Sequence, residues 1–343
     1  MPRKRKFNLI VTKESQDNMN PQNRMLIKEF LGYLKAVDKA HSTVEQYEND
    51  LNIFFAWNYH YNDNKKFTAI TKRDFLKFQN HSLSEWEWSP KRLRREKAVI
   101  SSMSNFIENM LDEDDEFKGF RSVINKIESP PDIPVLEKTI FEEEELKSLL
   151  DTLVEAKRFA PACALSLAMS SGRRKAELTR FKVSYFDEKN VIHGSLYKTP
   201  EMVVTKGRSS KGKPMYLYTL KHEFDPYLKL WLEERKAKGI ESIWLFPKQY
   251  SPNEHISTET LDGWAEQFNR VTEKEFYWHS IRHYMTTYLI KRHIPDSVIK
   301  DLIGWESSEM VSVYNDMSAD DMLGWYFDEN GIKDIKPTSV AQL

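Results

Sequence analysis

The feature that most constrains the fold is a change of hydrophobic period along the chain. Between residues 23 and 111 apolar residues recur at helical spacing. Capping signals divide this stretch into separate helices. Three helix starts are indicated by Ser42 with Glu45, by Thr71 with Asp74, and by Ser89 before Pro90. The pattern predicts a module of four helices.

The helical period fails between residues 112 and 139, where Pro130, Pro131 and Pro134 stiffen the chain. Beyond this stretch the sequence predicts helices over 142–156 and 161–170. Short segments of period two follow at 191–193, 202–205 and 215–218. Helical patterns resume near Asp225, Thr258, His279, Asp296, Ser307 and Ser318. The predicted fold is therefore mainly α with one small antiparallel β-sheet.

The length of 343 residues is enough for two domains, each with its own core. We expect a basic arm over 1–22, a helical domain over 23–112, a linker over 113–139, a second α+β domain over 140–330 and a tail over 331–343.

The charge is clustered although the totals nearly cancel, with 51 Lys and Arg against 52 Asp and Glu. Basic runs occupy residues 3–6, 91–97 and 206–213. Lys91, Arg92, Arg94 and Arg95 stand in the first turns of a helix, where cations oppose the helix dipole. A surface that faces DNA phosphates would explain them, and a merely solvated helix face is the alternative. The run at 3–6 has the same two interpretations.

Cysteine usage and hydropathy indicate a cytoplasmic protein with no membrane partner. Cys163 is the only cysteine, which excludes an intrachain disulfide framework and a Cys-rich zinc module. No apolar segment reaches signal-peptide length or the roughly 20 residues of a membrane span.

Reactive or phosphate-binding side chains stand at four predicted element ends. These are Arg174 and Glu177 after Gly172, Lys206 with Arg208 and Lys211 on a predicted hairpin tip, His279 and Arg282 on one helix face, and Trp305 with Tyr314 nine residues later. Residues 207–213 fit the start of a nucleotide-binding P-loop. However, Pro214 stands where that loop needs Ser or Thr, and a strand pattern follows, so no nucleotide cofactor is expected. His279 and His283 lack a co-ligand at metal-site spacing.

Taken in order, this set resembles the catalytic domain of the tyrosine recombinase (phage integrase) family. The resemblance covers about 139–330, and the first module is similar to the family's core-binding domain in layout only. Three departures are mild: Ile281 replaces the usual Leu, Trp305 stands where many members have His, and Arg173 occupies a position that is more often apolar. Arg174 therefore aligns with the catalytic arginine.

The resemblance implies a site-specific DNA recombinase that forms a covalent 3′-phosphotyrosyl intermediate. Tyr314 would be the nucleophile, Arg174 and Arg282 would bind the phosphate, and Lys206 would be the general acid. His279 and Trp305 would donate further hydrogen bonds, and Glu177 would orient the site. No cofactor or metal is implied.

The implied partner is double-stranded DNA, bound by a homotetramer whose members pass a C-terminal helix to a neighbour. The segment 318–329 is apolar enough to be that helix, or to pack on its own domain. Two other functions remain open at this point. One is a DNA-binding regulator of a mobile element or phage that keeps the fold without strand exchange, and the other is a relaxing topoisomerase of the related tyrosine type.

Overall fold

The computed structural model describes residues 10–131, 139–207, 209–315, 317, 327–328 and 331–332. The chain divides into two compact units. The first comprises residues 1–137 and 206–213, and the second comprises 138–205 and 214–343.

The first unit is helical. Its helices are α1 (Lys13–Asp17), α2 (Pro21–Ala36), α3 (His41–Tyr61), α4 (Lys72–Ser84) and α5 (Pro90–Met110). Their apolar stripes enclose an aromatic core in which Phe30, Phe54, Phe75 and Phe78 are fully buried. The four predicted helices are present, preceded by the short α1.

Two of the three predicted helix caps form. Thr71 and Asp74 make a capping box at the start of α4, and Ser89 Oγ accepts the Arg92 backbone N–H at 3.2 Å. The prediction from Ser42 is wrong. Helix α3 begins two residues earlier than a cap at Ser42 implies, at His41 after Ala40, and makes no side-chain cap.

The predicted basic arm and linker are partly wrong. Thr12 caps α1 through a capping box with Ser15, so ordered structure starts well before residue 23. The basic run at 3–6 lies outside the described residues. In the predicted linker, Phe117, Ile124 and Ile127 are buried in the core of the first unit. Isolated apolar residues at irregular spacing can be buried without producing a period, which is why the pattern missed them.

The second unit begins with α6 (Glu143–Glu155), α7 (Phe159–Ser171) and the short α8 (Lys175–Leu178). Helix α7 is apolar on every side and lies at the centre, packed by α6 and by later helices. Cys163 on this helix is completely buried, and burial raises the pKa of its thiol well above the usual value.

Five short strands follow: β1 (Val191–Ile192), β2 (Leu196–Lys198), β3 (Val203–Thr205), β4 (Lys213–Met215) and β5 (Tyr218–Leu220). Strands β1, β2 and β5 form an antiparallel sheet in that order, with Tyr197 opposite Thr219. Strands β3 and β4 form a separate pair. The single strand predicted over 215–218 is therefore wrong, because β4 and β5 belong to different sheets.

Helices α9 (Lys221–Ala237), α10 (Thr258–Phe268), α11 (Trp278–Lys291), α12 (Asp296–Ile303) and α13 (Glu309–Tyr314) complete the unit. Strands β6 (Phe327–Asp328) and β7 (Gly331–Ile332) pair antiparallel. The helix predicted over 318–329 thus cannot include Phe327 and Asp328, and the rest of it lies outside the described residues. In the described ranges, no helix is both long and apolar enough to cross a membrane.

Candidate active site

The position of Arg174 is fixed by the end of α7 and the start of α8. Gly172 ends α7 in the left-handed conformation, with φ +59°, which turns the chain toward α8. Glu177 is 2% exposed, and its carboxylate accepts hydrogen bonds from the Arg174 backbone N–H at 3.2 Å and from Arg174 Nη1 at 3.0 Å. The Arg174 side chain keeps 33% of its surface exposed. It is a positioned cation that a ligand can still reach.

Arg282 on α11 is the buried cation of the site. It is 1% exposed, and its Nη1 donates to the Gly172 carbonyl at 2.7 Å. Its guanidinium carbon lies 5.0 Å from the ring centroid of Trp305 and 5.7 Å from that of Tyr314. Burial and then the nearby Arg174 lower the pKa of Arg282 to about 9. The group therefore remains charged at neutral pH.

Tyr314 ends α13 and lies against residues of α11. Its side-chain oxygen is 3.0 Å from His279 Nε2, and its ring centroid is 4.5 Å from that of His283. The outer side of His279 is exposed to solvent. Its pKa is nevertheless lowered to about 4, first by partial burial and then by His283, Arg282 and Arg174. A neutral imidazole can accept the proton of the phenol.

Trp305 covers the other side of the cluster. Its ring centroid lies 4.9 Å from that of Tyr314, and the residue is 5% exposed. The indole Nε1 has no hydrogen-bond partner among the described residues. A buried N–H without an acceptor costs free energy, so this donor marks a place suited to a ligand oxygen.

The structure thus brings together five of the six residues that the sequence predicts as catalytic: Arg174, His279, Arg282, Trp305 and Tyr314. The sixth, Lys206, is exposed. It is the first residue of the segment 206–213, which belongs to the first unit. Lys211 is also exposed, and Arg208 lies outside the described residues.

Two of the basic residues at the start of α5 form ion pairs within the first unit, which the sequence does not indicate. Arg92 is paired with Asp50 at 2.9 Å and with Glu96 at 2.9 Å, and it lies over the ring of Trp88 at 4.6 Å. Only 17% of its side chain is exposed, so its prediction as a free phosphate contact does not fit. Arg95 also pairs with Asp50, at 3.0 Å.

Lys91 and Arg94 remain exposed, although Arg94 donates to the Pro130 carbonyl at 3.0 Å. These two residues are the better candidates for contact with DNA phosphates.

Sequence reasoning missed the two buried carboxylates, and a signal for them was present. Asp50 and Glu96 stand at apolar positions of helical stripes, where an acidic residue indicates a buried partner. Burial raises the pKa of both, in the case of Glu96 well above the usual value. His283, four residues after His279, packs on Tyr314, a contact that its spacing to His279 does not indicate.

Comparison with known proteins agrees with this geometry. Residues 139–320 match the family model described as "Phage integrase family". The chain is 31% identical over 259 residues to the SPbeta prophage-derived recombinase-like protein YomM of Bacillus subtilis (strain 168), covering 75% of this chain and 74% of that protein. It is 23% identical over 296 residues to the tyrosine recombinase XerA of Pyrococcus horikoshii, covering 85% and 89%.

Solved structures share the fold at low identity. The XerH recombinase in a post-cleavage complex with palindromic difH substrate has a TM-score of 0.62 and 16% identity, covering 90% of this chain and 96% of that one. A lambda integrase (75–356) dimer bound to a COC′ core site has a TM-score of 0.60 and 13% identity, covering 85% and 95%. The matched segment holds Arg174, Tyr314 and the residues gathered between them, and we conclude that the chain belongs to the phage integrase family, that of the tyrosine recombinases.

Proposed function

We propose that this protein is a site-specific recombinase that cuts and rejoins DNA strands through a covalent 3′-phosphotyrosyl intermediate. One observation carries the proposal. The Tyr314 hydroxyl lies 3.0 Å from His279 Nε2, and its ring lies 5.7 Å from the Arg282 guanidinium, within one compact unit. A nucleophile, a proton acceptor and a fixed cation therefore adjoin one another, as phosphoryl transfer requires.

The two arginines would bind the non-bridging oxygens of the scissile phosphate. A planar guanidinium presents paired N–H donors that match two phosphate oxygens, and its charge does not depend on a proton transfer during the reaction. Arg282 is buried, where an electrostatic interaction is stronger than in water. Arg174 is held by Glu177 and remains accessible. Together they would stabilise the negative charge of the pentavalent transition state.

His279 would accept the phenol proton as Tyr314 attacks phosphorus. A free phenol has a pKa of about 10 and is a poor nucleophile near pH 7, so a neutral imidazole in contact with it favours the attack. The bond from the tyrosine oxygen to phosphorus forms, and the bond from phosphorus to the 5′ oxygen breaks. Lys206 is proposed to protonate the departing 5′ oxygen. The free 5′-hydroxyl of a second strand can then reverse the attack, because the phosphotyrosyl bond retains the energy of the phosphodiester.

The proposed partner is double-stranded DNA, bound largely through phosphates. Among the solved structures of similar fold, XerH is bound to a palindromic difH substrate and lambda integrase to a COC′ core site. Pairing two DNA sites requires several copies of the chain, and a tetramer gives each of the four strands one nucleophile.

The test is the formation of a covalent adduct. A cognate duplex is first selected from a random-sequence pool, and nicked versions of it are then offered as suicide substrates. We expect an adduct resistant to denaturation with the natural protein and none with Tyr314→Phe, since that variant lacks the attacking oxygen. Tyr284→Phe, which removes a hydroxyl elsewhere on the α11 surface, serves as the matched control and should react normally.

Two outcomes would count against the proposal. Undiminished adduct with Tyr314→Phe would reject Tyr314 as the nucleophile. Tight binding of the selected duplex with no adduct from the natural protein would favour a DNA-binding regulator instead.

A further inference from the structure

Arg173, next to the candidate catalytic Arg174, points into the protein rather than toward a ligand. It is 1% exposed although it stands at an element end, where arginine is ordinarily solvated. Among the described residues it forms no ion pair, and burial lowers its pKa to about 10. The Glu177 carboxylate offsets part of this lowering without forming an ion pair with Arg173. A buried cation with no direct ion pair is costly, so its retention calls for a reason in the structure around it.

The contacts of Arg173 converge on the carboxyl end of α12. Its Nη2 donates to the Leu302 carbonyl at 2.6 Å and its Nη1 to the Ile303 carbonyl at 3.3 Å. Carbonyls in the last turn of a helix lack intrahelical partners and carry the negative end of the helix dipole. A planar guanidinium satisfies two of them at once.

The same helix end begins the segment that carries Trp305 and Tyr314. Gly304 follows Ile303 in the left-handed conformation, with φ +79°, and a Cβ atom there would clash with Met215 Cε and lie 2.8 Å from Arg173 Nη1. The missing side chain of Gly304 thus leaves room for both Met215 and the Arg173 guanidinium. The Gly304 and Trp305 backbone N–H groups both donate to the Lys300 carbonyl, at 2.8 and 2.9 Å, which completes the turn.

Arg282 reaches the same Ile303 carbonyl. Its Nη2 lies 3.5 Å from the Ile303 oxygen while its Nη1 is bonded to Gly172. Arg173 and Arg282 therefore connect the backbone between Gly172 and Arg174 to the end of α12. We infer that Arg173 is a positioning residue that fixes the end of α12, and with it Trp305 and Tyr314, relative to Arg174 and Arg282.

This inference rests on the proposed function for its catalytic consequence, but its structural part can be measured without catalysis. The variants are Arg173→Met, which removes the donors and the charge, and Arg173→Lys, which keeps the charge and removes the paired donors. The matched control is Arg235→Met. Arg235 is likewise buried and donates to the carbonyls of Ser242, Trp244 and Leu245 in the same unit, away from the site.

The first measurement is hydrogen–deuterium exchange of the DNA-free protein over residues 299–305. We expect faster exchange of the Gly304 and Trp305 amides in Arg173→Met, because the turn is no longer held by the guanidinium, and no change there in Arg235→Met. Unchanged exchange in Arg173→Met would overturn the inference, whatever the protein does with DNA.

The second measurement is the single-turnover rate of adduct formation, taken together with the affinity for the same duplex. We expect Arg173→Met to slow the reaction about a hundredfold with little change in affinity, since a displacement of about 1 Å of reacting groups has an effect of that size. Arg173→Lys should recover part of the rate, and Arg235→Met should react normally at a temperature where it is folded.

The two measurements fail separately. Faster exchange with an unchanged rate would overturn the catalytic part of the inference. If the natural protein forms no adduct at all, the proposed function fails, while the exchange data still decide whether Arg173 holds the end of α12.

Discussion

The protonation state of His279 is the residue-scale property on which the proposed chemistry depends most. Its imidazole is in contact with the Tyr314 hydroxyl and lies near two arginines and a second histidine. Each of these charged or chargeable neighbours makes a positive charge on His279 less favourable. Partial burial, and then these neighbours, thus keep the imidazole neutral and able to accept a proton.

The lowered pKa of His279 predicts how stability depends on pH. The unfolded histidine titrates near 6.5 and the folded one near 4, so the unfolded chain binds more protons between those values. The free energy of unfolding should therefore fall as the pH falls through this window. Comparison of urea unfolding at pH 7 and pH 5 should give a smaller loss for His279→Gln than for the natural protein. The difference should stay below about 1 kcal/mol, because the imidazole is partly exposed and screened. Equal losses would mean that His279 titrates normally.

At the scale of elements, two helix starts with the same capping spacing in the sequence differ in the contacts that they make. Thr71 and Asp74 satisfy the backbone N–H groups that open α4, whereas Ser42 has the same sequence spacing to Glu45 and makes no cap. The difference arises because α3 begins at His41, which places Ser42 inside the helix. The N-cap position belongs to Ala40, so the Ser42 hydroxyl does not bond the N–H groups that open the helix.

This contrast gives a prediction for helix stability. Thr71→Ala should lower the free energy of unfolding by about 1 kcal/mol, since the hydroxyl accepts an otherwise unpaired N–H. Ser42→Ala should change it by less than about 0.5 kcal/mol, because Ser42 is exposed and alanine favours a helix interior. Urea titration of both variants measures the difference. A loss on Ser42→Ala as large as that on Thr71→Ala would show that Ser42 caps the helix after all.

Interactions between residues that are close in the sequence could be predicted, and interactions between residues that are far apart in the sequence could not. The caps at Thr71 and Ser89 need only three neighbouring residues, and the order of reactive residues indicated the site. The engagement of Arg92 depends on Asp50, 42 residues away, and that of Arg173 on Leu302, 129 residues away. Nothing local distinguishes such arginines from solvated ones. The separation of β4 from β5 likewise depends on which strands pair, a property of distant partners.

At the scale of the whole molecule, the net charge is near neutral, but the basic residues are of two kinds, ion-paired and exposed. Some arginines form ion pairs with buried carboxylates, as Arg92 does with Asp50 and Glu96. Other basic residues, such as Lys91, are exposed and available to a polyanion. The number of basic residues in a run therefore overestimates the number of phosphates that it can neutralise.

The two kinds of cation should respond differently to substitution. The double change of Lys91 and Arg94 to Ala should lower the slope of log affinity against log salt by about one for each phosphate that the protein no longer neutralises, with little effect on stability. Arg92→Met should instead cost about 2 kcal/mol of unfolding free energy, since it removes the charged partner of buried Glu96 and one of the two arginines paired with buried Asp50. Binding titrations over a range of salt, with urea unfolding alongside, test both. An unchanged salt slope in the double variant would remove this helix start from the proposed DNA surface.

The enclosed thiol at the centre of α7 has a practical consequence for following this protein on DNA. Because Cys163 is completely buried and its raised pKa keeps the thiol protonated, we expect maleimide dyes not to react with it. A cysteine engineered on an exposed helix face would then be the sole attachment point, without prior removal of the native one. A fluorophore placed in this way would give a single labelled position for the binding measurements proposed above.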